Sequence, residues 1–321
     1  MNHVEEVIYY VDLYLEKANL ARARILKAVF TFLSHKLLEV LLSHANYVEL
    51  VEKQVGGQKW VALRSTLEFY KSQTKLRGDI IPVLADDYYS LGRFTYLKHF
   101  AELKLHPLYI ISANKTDTPV FWPLLLHELA HCLLTETTHL SGAVAYIAEH
   151  SPLEERPLKI ERRVEELLCD IIATRLCGPA YLNAFIHSLW PCIRVRPSED
   201  YPSNSLRLRC MMLTLQDCGI SDYDELVNRI IRSISVFDRL DETDKLINST
   251  MIRLVELTRD IPTLINEKTY RKIKETLTMI KGLNPSEIFN VSWILLNSTP
   301  PENFVKKALQ LSQLILNQLS Q

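Results

Sequence analysis

Glycine is scarce in this chain, eight among 321 residues, which leaves few positions for left-handed turns and favours helices. The six cysteines, Cys132, Cys169, Cys177, Cys192, Cys210 and Cys218, include no CxxC pair. They read as small apolar core residues in a reducing compartment, with Cys169 and Cys177 as candidates to line a pocket. Neither sign of charge is in excess; a net charge of −1 gives no electrostatic footprint for nucleic acid. No stretch of about 18 apolar residues exists to span a bilayer. The opening Met1-Asn2-His3-Val4-Glu5-Glu6 is acidic where a signal peptide is basic. A cytoplasmic chain with no membrane and no nucleic-acid partner is therefore expected. No repeat period is visible. Apolar content of 47% and charged content of 23% are ordinary for a folded soluble protein, and this length suits one large domain or two closely packed ones.

What is present is concentrated in His127-Glu128-Leu129-Ala130-His131. Two imidazoles four residues apart on a helix lie on one face and can hold a single zinc ion, and Glu128 between them is set to act on a zinc-bound water. Phe121-Trp122-Pro123-Leu124-Leu125-Leu126 before them and Cys132-Leu133-Leu134 after them supply a proline suited to a first helical turn and an apolar run suited to a buried helix. The competing reading of the same five residues is a buried helix whose two histidines are satisfied by neighbours. A second segment, Arg162 to Ala173, weighs against that reading. Its Glu166 and Asp170 are four apart and share a helix face, so Glu166 can reach the metal while Asp170 accepts a hydrogen bond from the outer nitrogen of a ligand histidine.

Across roughly residues 120 to 181 the chain resembles the gluzincin metallopeptidases, the thermolysin-like enzymes with HExxH on one helix and ExxxD on a second. The resemblance implies His127, His131 and Glu166 as ligands of Zn2+, Glu128 as general base and Asp170 as the partner of His127. Cys177-Gly178-Pro179-Ala180-Tyr181 also resembles a segment of little-characterised bacterial cytosolic HExxH proteins. Thermolysin-like enzymes usually carry Asn before the ligand Glu, where this chain has Glu165. Helical direction favours Glu166, which shares its side with Asp170, Ala173 and Cys177, whereas Glu165 is expected to project with Leu168, Ile172 and Leu176. Glu166 follows His131 at a longer interval than in thermolysin itself, so the stretch from Thr135 to Ile160 must hold an insertion or an extra short helix. A metzincin would need Gly and His where Leu134 and Thr137 stand. His139 reads as a surface histidine, and His35, His44, His99, His106, His150 and His187 have no ligand-spaced companion.

The fold class expected is α+β, mainly α-helical. Residues 1–56 form an N-terminal helical region, in which Arg22, Arg24 and Lys27 make a solvated face. Residues 57–181 form a zincin-like core with a small N-terminal sheet, and 182–321 a helical subdomain closing one side of the cleft. β-leaning runs occur at Trp60–Leu63, Asp79–Leu84, Tyr88-Tyr89 and Leu108–Ile111. Leu108–Ser112 is a candidate for the wall on which an extended peptide adds to a sheet edge, or else an ordinary core strand. Helical patterns follow near residues 206–216, 223–236, 241–259, 261–281, 285–296 and 301–319, with 310–321 expected to fray. The polar loop from Pro197 leads to Tyr201 and Arg207, which with Tyr181 and Tyr146 are the candidates to stabilise an oxyanion. The function expected is zinc-dependent hydrolysis of a peptide or protein substrate. The alternatives are a non-catalytic zinc-binding scaffold, or a regulatory stress or defence component with a gated peptidase site. An intact Glu128 favours the enzyme.

Overall fold

The computed structural model describes residues 57–85, 89–92, 108–114, 118–149, 157–189, 201–235, 238, 240–276 and 282–320. The expected helical region 1–56 with its basic cluster, the loop before Tyr201, Cys192 and His35, His44, His99, His106 and His150 lie outside the described residues.

The first described helix, α1 (Gln58–Thr74), contains the Trp60–Leu63 run that reads as β-leaning in the sequence. Its buried residues Trp60, Leu63, Leu67 and Tyr70 recur every three to four positions. Burial along that helical stripe overrides the local strand preference of Trp and Val. The Trp60 indole N–H donates to the Pro82 carbonyl at 3.1 Å, tying α1 to the sheet.

Strands β1 (Asp79–Ala85), β2 (Tyr89–Gly92) and β3 (Leu108–Asn114) form one sheet in the order β1-β3-β2. β1 runs parallel to β3 and β2 antiparallel to it. Pro82 is tolerated in β1 because, among the described residues, that strand is an edge. Leu108–Ser112 lies in the centre, paired on both sides, so it has no free edge to offer a peptide and is a core strand. Tyr109, Ile110, Ile111 and Ala113 are fully buried or nearly so, as befits a strand covered on both faces.

A 3-10 turn, Pro119–Leu124, leads into α2 (Leu125–Glu136), the helix of the HExxH segment. Its apolar residues are buried on almost every side, and it packs against β2, β3 and a later helix, α4 (Pro157–Cys177). Glu136 anchors its end: the carboxylate accepts from the backbone N–H of Arg77 (2.8 Å) and Gly78 (2.9 Å) and from the Tyr109 hydroxyl (3.0 Å). Between α2 and α4 stands α3 (Thr138–Glu149), the extra short helix that the interval requires.

α4 is the axis of the molecule, in contact with α2, α3 and the helices that follow: α5 (Pro179–Leu189), α6 (Asn204–Asp217), α8 (Glu242–Leu257) and α10 (Pro285–Asn297). Two buried arginines on α4 hold this arrangement. Arg163 donates to Asp241 (2.7 Å) and Asp244 (2.6 Å), and the other oxygen of Asp244 accepts from the Ser203 N–H (3.0 Å). Arg175 reaches Asp217, Thr258 and the Val255 carbonyl. Together they place the segment from Tyr201 to Arg207 beside α4.

The remaining helices are α7 (Asp224–Ile234), α9 (Glu267–Glu275) and α11 (Phe304–Leu319), the last following a short 3-10 turn. Side chains of Ser203, Asp241, Asn266 and Asn284 cap α6, α8, α9 and α10, and Asn284 completes a capping box with Glu287, as their types predict. Residues 261–266 are not helical, contrary to the sequence pattern. Pro262 explains this, because proline removes a donor and disfavours helical geometry in the residue before it. Through the residues expected to fray, α11 continues to Leu319, with Leu311, Ile315 and Leu319 buried and Asn317 accepting from Gln58 of α1 at 2.8 Å. One apolar cluster runs from Ala62 to Leu319. Among the described residues, no helix is long and apolar enough to cross a membrane.

Gly178 turns the chain from α4 into α5 with φ of +60°, and a Cβ there would meet Ile265 at 2.9 Å. Gly178→Ala combines left-handed strain with a clash, and should lower unfolding free energy by about 1–3 kcal/mol in urea titration. A midpoint equal to wild type would show that the turn is not under this constraint.

Candidate metal centre

The centre is assembled from two helices that pass in opposite directions, so that residues late in α2 meet residues early in the ExxxD segment of α4. His127 Nε2 is 3.0 Å from Glu166 Oε2, and His131 Nε2 is 3.5 Å from Glu166 Oε1. The outer nitrogens are also held, His127 Nδ1 by Asp170 and His131 Nδ1 by Glu165, each at 3.0 Å. Once a ring gives up its second proton, Nδ1–H donating to a carboxylate leaves the Nε2 lone pair for a cation. The rings stand 5.0 Å apart at 83°. Two imidazole nitrogens and one carboxylate oxygen are donor types that catalytic zinc sites use.

A second choice of third donor lies beside the first. One ligand atom each from His127, His131 and Cys169 fall within 4.8 Å of one another. Glu166 and Cys169 are three residues apart on α4, hence on the same face.

The electrostatics suit a cation. Burial works against a charge on His127, but its bonds to Asp170 and Glu166 outweigh that and lift it to about 9. His131 is raised too: burial opposes the charge and Cys169, Glu165 and Glu166 favour it. Burial would raise Glu166, yet the two histidines hold it well below the usual carboxylate range. Burial pushes the Cys169 thiol up to about 12. The same carboxylates that favour a proton on these imidazoles favour a divalent cation in its place.

Asp170 has no exposed surface, and a buried carboxylate is costly unless it is paired and hydrogen-bonded. Arg207 grips it with both arms, Nε to Oδ2 and Nη2 to Oδ1, each 2.7 Å. The Tyr181 hydroxyl donates to Oδ1 at 2.6 Å and lies 3.3 Å from His127 Nδ1. Although burial pushes Asp170 up, the Arg207 guanidinium leads the interactions that hold it below its ordinary value. The Phe185 ring, 4.6 Å from the guanidinium carbon, covers the pair.

Beside the histidines lies an open cavity of about 570 Å³. Glu128 is on its wall, with Glu165, Tyr201 and Arg207, and with Leu124 and Phe185 as apolar surface. His127, His131, Glu166, Glu128, Tyr181, Tyr201 and Arg207 therefore come together at one cavity, with Asp170 behind them.

Several sequence expectations change. Glu165 does not point away from the histidines but holds His131, because α2 crosses α4 between the directions of residues 165 and 166. Arg207 and Tyr181 are committed to Asp170, so neither stands as a free donor for an oxyanion. Tyr146 is half-exposed on α3 and does not line the cavity. Tyr201 does, half-exposed, with its hydroxyl pKa raised chiefly by the nearby Glu166 charge. Cys177 is bonded to the Tyr70 hydroxyl at 3.7 Å rather than facing the cavity, which Cys132 lines instead. His139 is exposed, paired with Asp260 at 3.2 Å, and His187 stacks on Phe304.

Removing either orienting group should loosen the centre. Arg207→Leu, which strips Asp170 of its bidentate partner, and Glu165→Ala, which frees the His131 ring, should each weaken zinc binding by about 10–100-fold in competition with a chromogenic chelator. Arg207→Lys should not restore the affinity, since a point charge cannot make both bonds. Wild-type affinity in Arg207→Leu would contradict the clamp.

No protein-family profile, no curated protein and no solved structure matches this chain, so the reading of the site rests on its own geometry.

Proposed function

We propose that this chain is a zinc-dependent metallopeptidase acting on a peptide or protein substrate. The observation that carries the reading is the convergence of both Nε2 atoms on Glu166 while both Nδ1 atoms are held by carboxylates. His127, His131 and Glu166 would hold the metal. When bound, zinc lowers the pKa of a water toward about 7 and polarises a carbonyl.

The chain's own residues account for the rest of the chemistry. Glu128, on the cavity wall one position from His127, takes the proton from the attacking water and returns it to the leaving amine. The Asp170, Arg207 and Tyr181 cluster keeps His127 in one tautomer and one orientation. Tyr201, which also lines the cavity, would donate its hydroxyl hydrogen to the developing oxyanion. Leu124 and Phe185 give the substrate an apolar surface. The five described cysteines are all free and buried, which supports a reducing, cytoplasmic setting.

The purified chain should hold about one zinc, measured by elemental analysis after gel filtration. Glu128→Gln should keep that metal and lose about 10²–10⁴-fold of hydrolysis, read by mass spectrometry on a random peptide library. Hydrolysis persisting undiminished in Glu128→Gln, or a zinc-loaded wild type that cleaves nothing in the library, would remove the peptidase reading.

A further inference from the structure

Two potential donors of different chemistry sit on the face of α4 that meets the histidine pair. Glu166 touches both Nε2 atoms. Cys169, one helical turn further on, has no exposed surface, and its sulfur forms a group with one nitrogen of each histidine in which every separation is within 4.8 Å. Filling the helix interface does not require sulfur there. Ala173, the next residue along the same stripe, is also fully buried and does so with a methyl group.

Counted together, the chain supplies two imidazole nitrogens, one carboxylate oxygen and one sulfur. Four such donors are the number that closes a tetrahedral zinc site, whereas a catalytic site keeps one position open. Metal–sulfur and metal–nitrogen bonds of about 2.3 and 2.0 Å place tetrahedral donors roughly 3.5 Å apart. The ligand atoms of His127, His131 and Cys169 already lie within 4.8 Å of one another, close to that spacing, and Glu166 separately reaches Nε2 of both histidines. Cys132, the other thiol at the site, points along its own helix, with its Sγ 3.5 Å from the Glu128 carbonyl.

We propose that Cys169 is a fourth protein donor to the metal, so that the resting centre is closed by His127, His131, Glu166 and Cys169. The inference rests on the zinc reading above and adds a gate to it. As the sulfur–metal bond forms, the thiol proton passes to solvent and the position open to water is filled. Opening breaks that bond, and the thiolate takes a proton back from solvent. No oxidant or reductant enters. A substrate that occupies the cavity beside Glu128 supplies the competition that shifts the centre towards its open form.

Cobalt(II) reports the ligands directly. The full chain loaded with Co2+ in place of zinc should show the visible d–d bands of a four-coordinate centre and, in addition, near-ultraviolet thiolate-to-metal charge transfer. Cys169→Ser and the smaller Cys169→Ala should keep the d–d bands and lose the charge transfer, with metal dissociation constants raised on the order of tenfold or more, at least the effect of losing an outer hydrogen-bond partner. Cys132→Ser should keep both features. Wild-type d–d bands without charge transfer, or charge transfer that survives both Cys169 variants, would overturn the fourth donor while leaving the metal centre standing. Absence of d–d bands in the wild type would overturn the centre and the gate together.

Discussion

A carboxylate without any exposed surface governs this structure. Asp170 can stay ionised inside the protein only because Arg207, Tyr181 and His127 all bond to it, and each of these comes from a different helix. Desolvating one carboxylate costs several kcal/mol unless such partners compensate. The same four-way contact that compensates also fixes the His127 ring. Stability and site geometry are thus coupled at a single atom pair, and a change that releases Asp170 disturbs both.

The surrounding fold serves that contact. α4 carries Asp170, Glu166, Glu165 and Cys169 on the side facing α2, and its buried arginines Arg163 and Arg175 tie it to α6 and α8. This linkage brings Arg207, distant in sequence, onto Asp170. At the far end of α2, Glu136 fastens this helix to the turn before β1 and to β3. Gly178, with its positive φ, turns the chain so that Tyr181 returns to the Asp170 carboxylate. The cavity remains open on one side of this rigid frame, where Tyr201 and Glu128 face it.

How much could be read beforehand depended on whether a contact was set by local geometry. His127 with His131, and Glu166 with Asp170, are pairs four apart on helices, so their faces follow from spacing alone. Asn284 and Asp241 announce helix starts by residue type. Glu165 was misdirected because its neighbours depend on the line along which α2 crosses α4, a tertiary quantity. Arg207 was legible as a residue near the site, while its partner was not, since nothing in the sequence says that a guanidinium meets Asp170. The central place of Leu108–Asn114 in the sheet and the helical state of Trp60–Leu63 are likewise outcomes of long-range packing. Cys169 is legible as a buried residue, but its approach to the histidines is set by how α2 packs on α4.

The central claim is that two helices of this chain place three side chains around one divalent cation. Anomalous X-ray scattering at the zinc edge, from crystals of the zinc-loaded full chain, tests it most directly. The account predicts one peak, at about 2.0–2.2 Å from His127 Nε2, His131 Nε2 and a carboxylate oxygen of Glu166. A peak elsewhere, or Glu166 still bonded to unmetallated histidines in a zinc-saturated crystal, would contradict it.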